Sequence, residues 1–375
     1  MSLLSLFKTP GKAISPRQKT GWIGVDIGTG AIKIAQMQRA ANKLRLVRSL
    51  VIRADEQRPF DLQSFESGRI GSEIRSGLKT HGGFQGQEVA CVVSMAHCEL
   101  RTLVSAKGSE DDQRELISLE IENDLNGSTE PLEFEFWDAS TGEYSENRGM
   151  TQLHVLSLPR TFSDSIANSL LQAGLHCQVL DAIPFAAVRA SEMSTPLSAT
   201  HVSAMPAIDS SYAILDWGYS VATMMIVHQG QPFMTRTLKH CGLQKVLRAV
   251  SQRLKLSAAE SEAMLTTYGV ATNSQEAGKN TDLQSLTAEL CSGVITDLVE
   301  EIHETIDFIK MQFSKQMPSH VCLIGGGAAI RNVDSLLRQK IRLPVHSWTF
   351  RSSSTESVSP VFATAAALSA LAWEL

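Results

Sequence analysis

The stretch "GVDIGTGAIK", residues 24–33, decides the fold that we expect from this sequence. A run of apolar residues ends there at a single carboxylate, Asp26, and a Gly-Thr-Gly turn follows. The chain then leaves as a second strand, in which Lys33 separates Ile32 from Ile34. Glycines let backbone N–H groups converge on a phosphate, and a carboxylate at a strand end can hold Mg²⁺ beside it. The stretch therefore predicts a phosphate-binding loop between two strands, although a plain hairpin turn explains it as well when it is taken alone.

A second copy of the pattern lies in "SYAILDWGYSVATMMIVHQGQPFMTRTL", residues 211–238. A strand ends at Asp216, Gly218 turns the chain, and two further strands follow. Two such units in one chain indicate an internal duplication. A third glycine loop, "GGG" at residues 325–327, follows an apolar strand and precedes a helix, where the backbone can approach a ligand. Together the three loops predict a nucleotide held between two duplicated lobes.

Length, composition and charge narrow the class of protein. A chain of 375 residues favours two or more lobes, and 43% hydrophobic with 19% charged residues is a globular balance. The formal net charge is -5, and no strongly basic domain of the kind that a general nucleic-acid binder needs is apparent in the sequence. Six cysteines form no C-x-x-C pair, which argues against a zinc site and for reduced thiols. Without a long apolar run or a signal-peptide pattern, we expect a cytoplasmic protein.

The order of the segments predicts how the chain divides into lobes. A Ser/Thr/Pro-rich stretch at 191–210 has the composition of a linker. In the helix predicted around residues 112–125, Leu116, Leu119 and Ile121 mark the apolar stripe. The expected units are a flexible basic arm at 1–20, a first lobe at 21–195 with a small inserted subdomain at about 54–150, a second lobe at 208–350, and a C-terminal helix at 358–375 that packs back on the first lobe. The arm is either a frayed tail or a weak contact with an anionic membrane surface or a partner.

The motifs carry a family resemblance. "GVDIGTGAIKI" and "ILDWGYSVATMMIV" resemble the two phosphate loops of the actin-like ATPase superfamily, and "HVCLIGGGAAIRNVDSLL" resembles its adenosine motif. Within that superfamily the sequence is most similar to the PilM family of type IV pilus assembly proteins, which are relatives of FtsA. The resemblance extends over nearly everything from Gly21 onward. It implies an α/β fold of two actin-like lobes, which are duplicated ribonuclease-H-like domains, with an inserted small α+β subdomain.

The resemblance also implies ATP and Mg²⁺ as ligands between the lobes. No catalytic residue is assigned. The candidate cofactor-binding residues are Asp26, Gly28, Thr29, Gly30, Lys33, Asp216, Gly218, Thr223, Glu262, Gly325, Gly326 and Gly327, of which Asp26 and Asp216 are the candidate Mg²⁺ ligands.

One departure from the family pattern concerns hydrolysis. The first connecting segment of relatives commonly carries a Glu that can orient the attacking water, whereas Ile183 stands at that place here, before Pro184. The nearest acid is Asp181. We therefore expect ATP hydrolysis to be weak or absent.

Two further departures concern nucleotide binding. The second phosphate loop of relatives usually has Thr at the position of Ala222, although Thr223 is adjacent. Relatives often have a Lys for the nucleoside at the position of Leu265, while Glu262 is retained. These changes predict weakened binding of the nucleotide.

The resemblance further implies a role and partners. Proteins of this kind capture the short N-terminal cytoplasmic peptide of a PilN-type inner-membrane protein, which would bring the chain to the inner face of the inner membrane. We expect that peptide in a groove between the inserted subdomain and the first lobe, with the pilus motor ATPase complex as a further partner and no nucleic acid. Two alternatives stay open, a small-molecule kinase of the actin and sugar-kinase superfamily and an FtsA-like division filament. The kinase would need an additional carboxylate as general base, and the end "ALSALAWEL" lacks the basic face of an FtsA membrane helix.

Overall fold

The computed structural model of this protein describes residues 20–40, 43–124, 130–138, 149–194, 211–271, 281–351 and 357–374. The predicted basic arm lies outside these residues except for Thr20, and the predicted linker lies outside them from 195 to 210. The strands are β1 (Thr20–Ile27), β2 (Ala31–Ala40), β3 (Lys43–Arg53), β4 (Glu88–Val93), β5 (Glu99–Ala106), β6 (Leu132–Asp138), β7 (Met150–Pro159), β8 (His176–Asp181), β9 (Ser211–Trp217), β10 (Ala222–His228), β11 (Gln231–Leu238), β12 (Val321–Ile324), β13 (Val345–Ser347), β14 (Phe350–Arg351) and β15 (Ser357–Val358). The α-helices are α1 (Leu62–Glu66), α2 (Arg69–His81), α3 (Glu110–Asp124), α4 (Arg160–Gln172), α5 (Ile183–Glu192), α6 (Leu243–Leu254), α7 (Ala258–Thr267), α8 (Thr281–Gln312), α9 (Val333–Ile341) and α10 (Ala363–Ala370).

Two five-stranded sheets with the same topology form the centres of the two lobes. The first has the order β3-β2-β1-β4-β8 and the second has the order β11-β10-β9-β12-β13. In each sheet the first three strands of the lobe are antiparallel neighbours, and the last two add in parallel. This repetition confirms the predicted duplication and the two-lobed α/β fold. Because β1, β4, β9 and β12 run in parallel within their sheets, their carboxyl ends lie at one edge of each sheet, where ligands of such folds bind.

Helices cover both faces of each sheet with apolar side chains. On the first lobe, α2 and α4 pack against each other and contribute Ile70, Ile74, Ile166 and Leu170 to a core with β1 and β4. On the second lobe, α6 and α8 pack together over β9 and β10. These core contacts between helices and strands hold each sheet in place, and the loops at its carboxyl edge are anchored to it.

The inserted subdomain has different boundaries from those predicted. Its three-stranded antiparallel sheet has the order β5-β7-β6, so it spans 99–159. The predicted range of 54–150 begins too early, because β4 pairs with β1 in the main sheet and α2 packs on the first lobe. The range also ends too early, because β7 continues to residue 159.

Helix α3 covers the inserted sheet with a different stripe from the one predicted. Ile117 and Ile121 are buried against Leu153 and Val155 of β7. Leu116 and Leu119 are instead 48% and 50% exposed. The prediction was right for Ile121 and wrong for the two leucines, since the face that turns inward depends on where the helix meets the sheet.

The C-terminal helix α10 packs on the first lobe against β1, β2 and α5. Its buried Ser369 hydroxyl donates to the carbonyl of Trp22 at 2.5 Å and accepts from the amide of Met37 at 2.8 Å. The pairing of β1 with β2 is irregular at this point. The Trp22 carbonyl and the Met37 amide therefore bond to the Ser369 hydroxyl of the helix. At Gly24 any β-carbon would clash with the backbone carbonyl of Ala365, so the glycine allows the helix to lie directly on the strand.

Candidate functional site

A cleft of about 970 Å³ lies between the two lobes. Its floor comes from the loops that follow β1, β4, β9 and β12 and from the start of α5, at the carboxyl edges of the sheets. The end of β3 with the loop after it, α6 and α7 complete its walls. Every predicted cofactor-binding residue except Gly327 lines this cleft. Residues 190 positions apart in the sequence are thus brought to one site.

The first Asp-x-Gly loop supplies a paired acid and base. Asp26 is the penultimate residue of β1, and Lys33 of β2 lies opposite it in the ladder. The Lys33 ammonium donates to Asp26 Oδ2 at 3.1 Å, and both side chains are largely buried. A β-carbon at Gly28 would lie 2.8 Å from the Lys33 Nζ atom, so a side chain there would crowd this ion pair.

The second loop presents a carboxyl group with an unusual pKa. Asp216 stands at the equivalent position of β9 and lies opposite Thr223 of β10. Burial raises the pKa of Asp216 to about 6, and the Asp26 carboxylate raises it while Lys33 lowers it. Two carboxyl groups therefore share one part of the cleft, and a bound divalent cation would relieve their repulsion.

The two Asp-x-Gly loops touch each other across the cleft. The Thr29 hydroxyl donates to the Ser220 hydroxyl at 2.9 Å. The ring of Tyr219 occupies the space in front of Gly30, where a β-carbon would clash with it. Tyr219 has no counterpart in the prediction from sequence, since a contact between two distant loops leaves no local signal.

The glycine loop after β12 closes the base of the cleft. Gly325 has φ of +84°, a conformation that L side chains rarely adopt, and a β-carbon there would clash with Asp216 Oδ1. Gly326 lines the cleft beside Leu243. Gly327 does not line the cleft, and a β-carbon there would clash with the Trp217 ring in the core of the second lobe. Its role in binding stays a prediction, and its contact with Trp217 is one of packing.

A bidentate ion pair bridges the lobes at the exposed side of the cleft. The Arg53 guanidinium, at the end of β3, donates to both carboxylate oxygens of Glu262 on α7, each at 2.8 Å. The prediction from sequence identified Glu262 but not Arg53. Charged residues are common on edge strands, so an arginine there does not by itself indicate a partner. Only the fold shows that its partner is Glu262.

The residue that replaces the expected catalytic carboxylate lies in the wall of the cleft. Ile183 opens α5 and is almost fully buried there. The nearest acid in the sequence, Asp181, is turned away and pairs with the buried guanidinium of Arg189. Its other oxygen accepts from the amide of Ala182 at 2.8 Å. Neither position offers a carboxylate to a water molecule in the cleft.

The other two departures are placed differently from what the sequence suggested. The Ala222 side chain belongs to the core of the second lobe, whereas the neighbouring Thr223 lines the cleft, as strand alternation requires. Leu265 is also a core residue of the second lobe and does not line the cleft. Leu265 thus makes no contact with the cleft, and the expectation that a contact to the nucleoside is missing here stays a prediction.

The chemistry of the cleft fits a nucleotide with Mg²⁺. Small and apolar side chains of α6 and α7, among them Leu247, Ala259 and Ala263, form a wall suited to a flat ring. Among the described residues no cluster of three or more metal-ligating side chains occurs. Mg²⁺ prefers one or two carboxylates together with phosphate oxygens and water. Asp26 and Asp216 are the residues that would hold it, and the convergent glycine loops would leave room for the phosphates.

A second cavity of about 550 Å³ separates the inserted subdomain from the first lobe. One wall comes from α1 and α4, with Leu62 and Phe162, and the other from the ends of β5, β6 and β7, with Leu132 and Leu158. Three carboxylates, from Glu66, Glu99 and Glu130, stand among these apolar groups. We call this cavity the subdomain groove.

The inserted subdomain also contacts the second lobe. The Trp137 indole donates to the carbonyl of Pro232 at 2.8 Å. The His154 ring bonds the carbonyl of Phe233 at 2.7 Å through Nε2, which therefore carries the proton. The Thr102 hydroxyl lies 3.0 Å from the His154 Nδ1 atom, and burial lowers the pKa of this imidazole. Both bonds reach β11, so the subdomain is fixed to both lobes.

Comparisons with solved structures bear on the fold. A protein from a structure described as "PilM-PilN type IV pilus biogenesis complex" superimposes with a TM-score of 0.73 at 19% identity, with 96% of this chain and 100% of that chain covered. The ethanolamine utilization protein EutJ from Carboxydothermus hydrogenoformans superimposes with a TM-score of 0.51 at 12% identity, with 95% and 91% covered. At these identities the likeness shows the fold. The comparison with curated proteins returned no significant match, and none of the described helices is long and apolar enough to cross a membrane.

The sequence itself assigns the family. It matches the family profile described as "Type IV pilus assembly protein PilM" over residues 24–349, which contain both Asp-x-Gly loops, the inserted subdomain and the glycine loop. The chain therefore belongs to the PilM family of type IV pilus assembly proteins and has their actin-like fold.

Proposed function

We propose that this chain is an ATP-binding scaffold of type IV pilus assembly, or of a related secretion system, that hydrolyses ATP slowly or not at all. The observation that carries the nucleotide site is the meeting of Asp26, Asp216 and Gly326 around one cleft from three distant loops. A structural role for ATP follows from the wall at Ile183, where an apolar side chain replaces a group that could orient water. No observation in the described residues favours the small-molecule kinase or the division filament over this reading.

Isothermal titration calorimetry with ATP and Mg²⁺ tests the nucleotide site. A β-carbon at Gly326 would lie 3.0 Å from Leu243 Cδ2, so Gly326→Val fills the cleft and should weaken binding at least tenfold. Gly293→Val is a matched control, because a β-carbon there meets nothing within 4 Å. No binding by the parent at millimolar ATP, or equal affinity in the parent and in Gly326→Val, would remove the site.

The second part of the proposal concerns a peptide partner. The similar protein was solved as a PilM–PilN complex, and we propose that this chain likewise docks the N-terminal cytoplasmic peptide of a PilN-type inner-membrane protein. The subdomain groove is the proposed dock. Its apolar walls at Leu62 and Phe162 can anchor side chains of a short extended peptide. The carboxylates of Glu66 and Glu130 suit basic residues beside those anchors, whereas Glu99 is already paired with Arg101. Docking would hold the chain at the inner face of the inner membrane through the partner, where the pilus motor ATPase complex is a further proposed contact.

A pull-down with a synthetic N-terminal peptide of the PilN-type protein tests the dock. Leu62 is 49% exposed, so Leu62→Glu should leave the fold intact and place a charge in the apolar wall. Leu171→Glu is the control, since Leu171 is 57% exposed and lies outside the groove. We expect Leu62→Glu to reduce peptide recovery and Leu171→Glu to match the parent. Equal recovery by all three proteins would show that the peptide docks elsewhere.

A further inference from the structure

The bidentate pair between Arg53 and Glu262 joins the two lobes where the cleft meets solvent. Arg53 belongs to the first lobe and Glu262 to the second, and both line the cleft. Their side chains are 54% and 34% exposed, whereas those of Lys33 and Asp26 are 15% and 12% exposed. The Arg53–Glu262 pair is thus the outer of two ion pairs in the same cleft.

This pair restrains the lobes because its partners cannot separate without breaking it. Each of the two carboxylate oxygens accepts one N–H from the guanidinium, which fixes both distance and orientation. Deeper in the cleft the lobes meet again, through the Thr29–Ser220 hydrogen bond and the Tyr219 ring against Gly30. Any widening of the cleft has to loosen these contacts, of which the ion pair lies nearest to solvent.

The charges in the cleft give the pair a second consequence. The lining contains two cationic side chains, Lys33 and Arg53, and each is held by a carboxylate. While Glu262 holds Arg53, one N–H at each of Nε and Nη2 and both carboxylate oxygens are engaged. A nucleotide that contacts these atoms has to compete with this pair.

We propose that the Arg53–Glu262 pair is a latch that limits the rate at which nucleotide enters the cleft. This inference rests on the nucleotide binding proposed above. If Glu262 only contacted the bound nucleotide, its loss should raise the dissociation rate and leave the association rate unchanged. Loss of a latch should speed entry, by about twofold to fivefold for a pair this exposed to solvent.

Stopped-flow binding of a fluorescent ATP analogue with Mg²⁺ separates these readings. We expect Arg53→Gln and Glu262→Gln to raise the association rate by the same factor, about twofold to fivefold, and the double variant to match the single variants. Arg338→Gln is the control, since Arg338 pairs with Asp334 at 3.6 Å and donates to the Val345 carbonyl at 2.7 Å, both inside the second lobe, and does not join the two lobes. If the parent binds the analogue and both single variants keep its association rate, the latch is wrong and the proposed nucleotide site stands.

Solution scattering of the nucleotide-free protein tests the latch without the ligand. Arg53→Glu places two carboxylates opposite each other and should increase the radius of gyration. Adding Glu262→Arg to it restores an ion pair of reversed sense and should return the parental radius. A parental radius in Arg53→Glu would overturn the latch even if the parent binds no nucleotide, a result that would overturn the proposed function separately.

Discussion

Asp216→Asn should make the nucleotide-free protein more stable while it weakens binding of ATP with Mg²⁺. Asparagine has nearly the volume of aspartate and carries no charge at any pH. Burial raises the pKa of Asp216 from 3.8 to about 6, so ionisation costs more in the folded protein than in the unfolded chain. Above pH 3.8, the pKa of the carboxyl group in the unfolded chain, this cost lowers the free energy of unfolding of the wild-type protein. The variant has no carboxyl group to ionise and does not carry the cost.

The magnitude follows from the difference between the two pKa values. A raised pKa means that the folded state holds the proton more tightly, so this group lowers stability as pH rises from 3.8 towards 6 and by a constant amount above 6. About two pKa units at about 1.4 kcal/mol each give about 3 kcal/mol at pH 8. At pH 5, where the folded carboxyl is mostly protonated, about half of that cost is present. Asp216→Asn should therefore stabilise the protein more at pH 8 than at pH 5.

Urea unfolding at the two pH values, without nucleotide, measures this difference. Asp164→Asn is the matched control, because Asp164 lies exposed on α4 and should change the free energy of unfolding by less than about 0.5 kcal/mol. A gain from Asp216→Asn that is equal at pH 5 and pH 8 would refute the raised pKa. Lower stability of this variant at pH 8 would refute the claim that the Asp216 carboxylate is a cost to folding.

Three further outcomes are expected. The affinity for ATP with Mg²⁺ should fall up to about tenfold per pH unit below about pH 6, because protonated Asp216 is a poor Mg²⁺ ligand; calorimetry that finds one affinity from pH 5 to pH 8 would contradict this. Ile183→Glu should raise the rate of phosphate release from a parent that turns over well below about 1 s⁻¹, and a parent near that rate would show that Ile183 does not prevent hydrolysis. Ser369→Ala should lower the free energy of unfolding by about 2–4 kcal/mol, since it leaves a buried carbonyl and a buried amide unpaired. Ser292→Ala, whose exposed hydroxyl bonds within its own helix, should cost less than about 0.5 kcal/mol in the same urea titration.

The residues that sequence reasoning placed correctly are those whose position follows from a strand end. Asp26 and Asp216 each stand near the end of a buried strand, and Gly325 directly follows one. In a duplicated fold with parallel strands the carboxyl ends gather at one edge, so a local pattern is enough to place these residues in one cleft.

Errors arose where the choice depended on which face of an element turns inward. Leu116 and Leu119 satisfy a helical stripe, yet Ile117 and Ile121 of the same helix contact the inserted sheet. The family resemblance led us to expect Leu265 at a position that contacts the nucleoside, but its helix turns that residue into the core. A change of one residue rotates a helix position by about 100°, so periodicity without knowledge of the packing partner leaves the inner face open.

The boundary of the inserted subdomain could not be predicted for a related reason. A strand such as β4 has the same composition whether it starts a subdomain or joins a sheet that is already formed. Its place is decided by parallel pairing with β1, more than sixty residues earlier, and parallel partners need a crossover that leaves no mark at the strand itself. Arg53 and Tyr219 present the same difficulty between lobes, because their partners Glu262 and Gly30 lie about two hundred residues away. Sequence patterns thus located the loops that would bind a nucleotide, and only the assembled lobes revealed the contacts that a nucleotide would have to part.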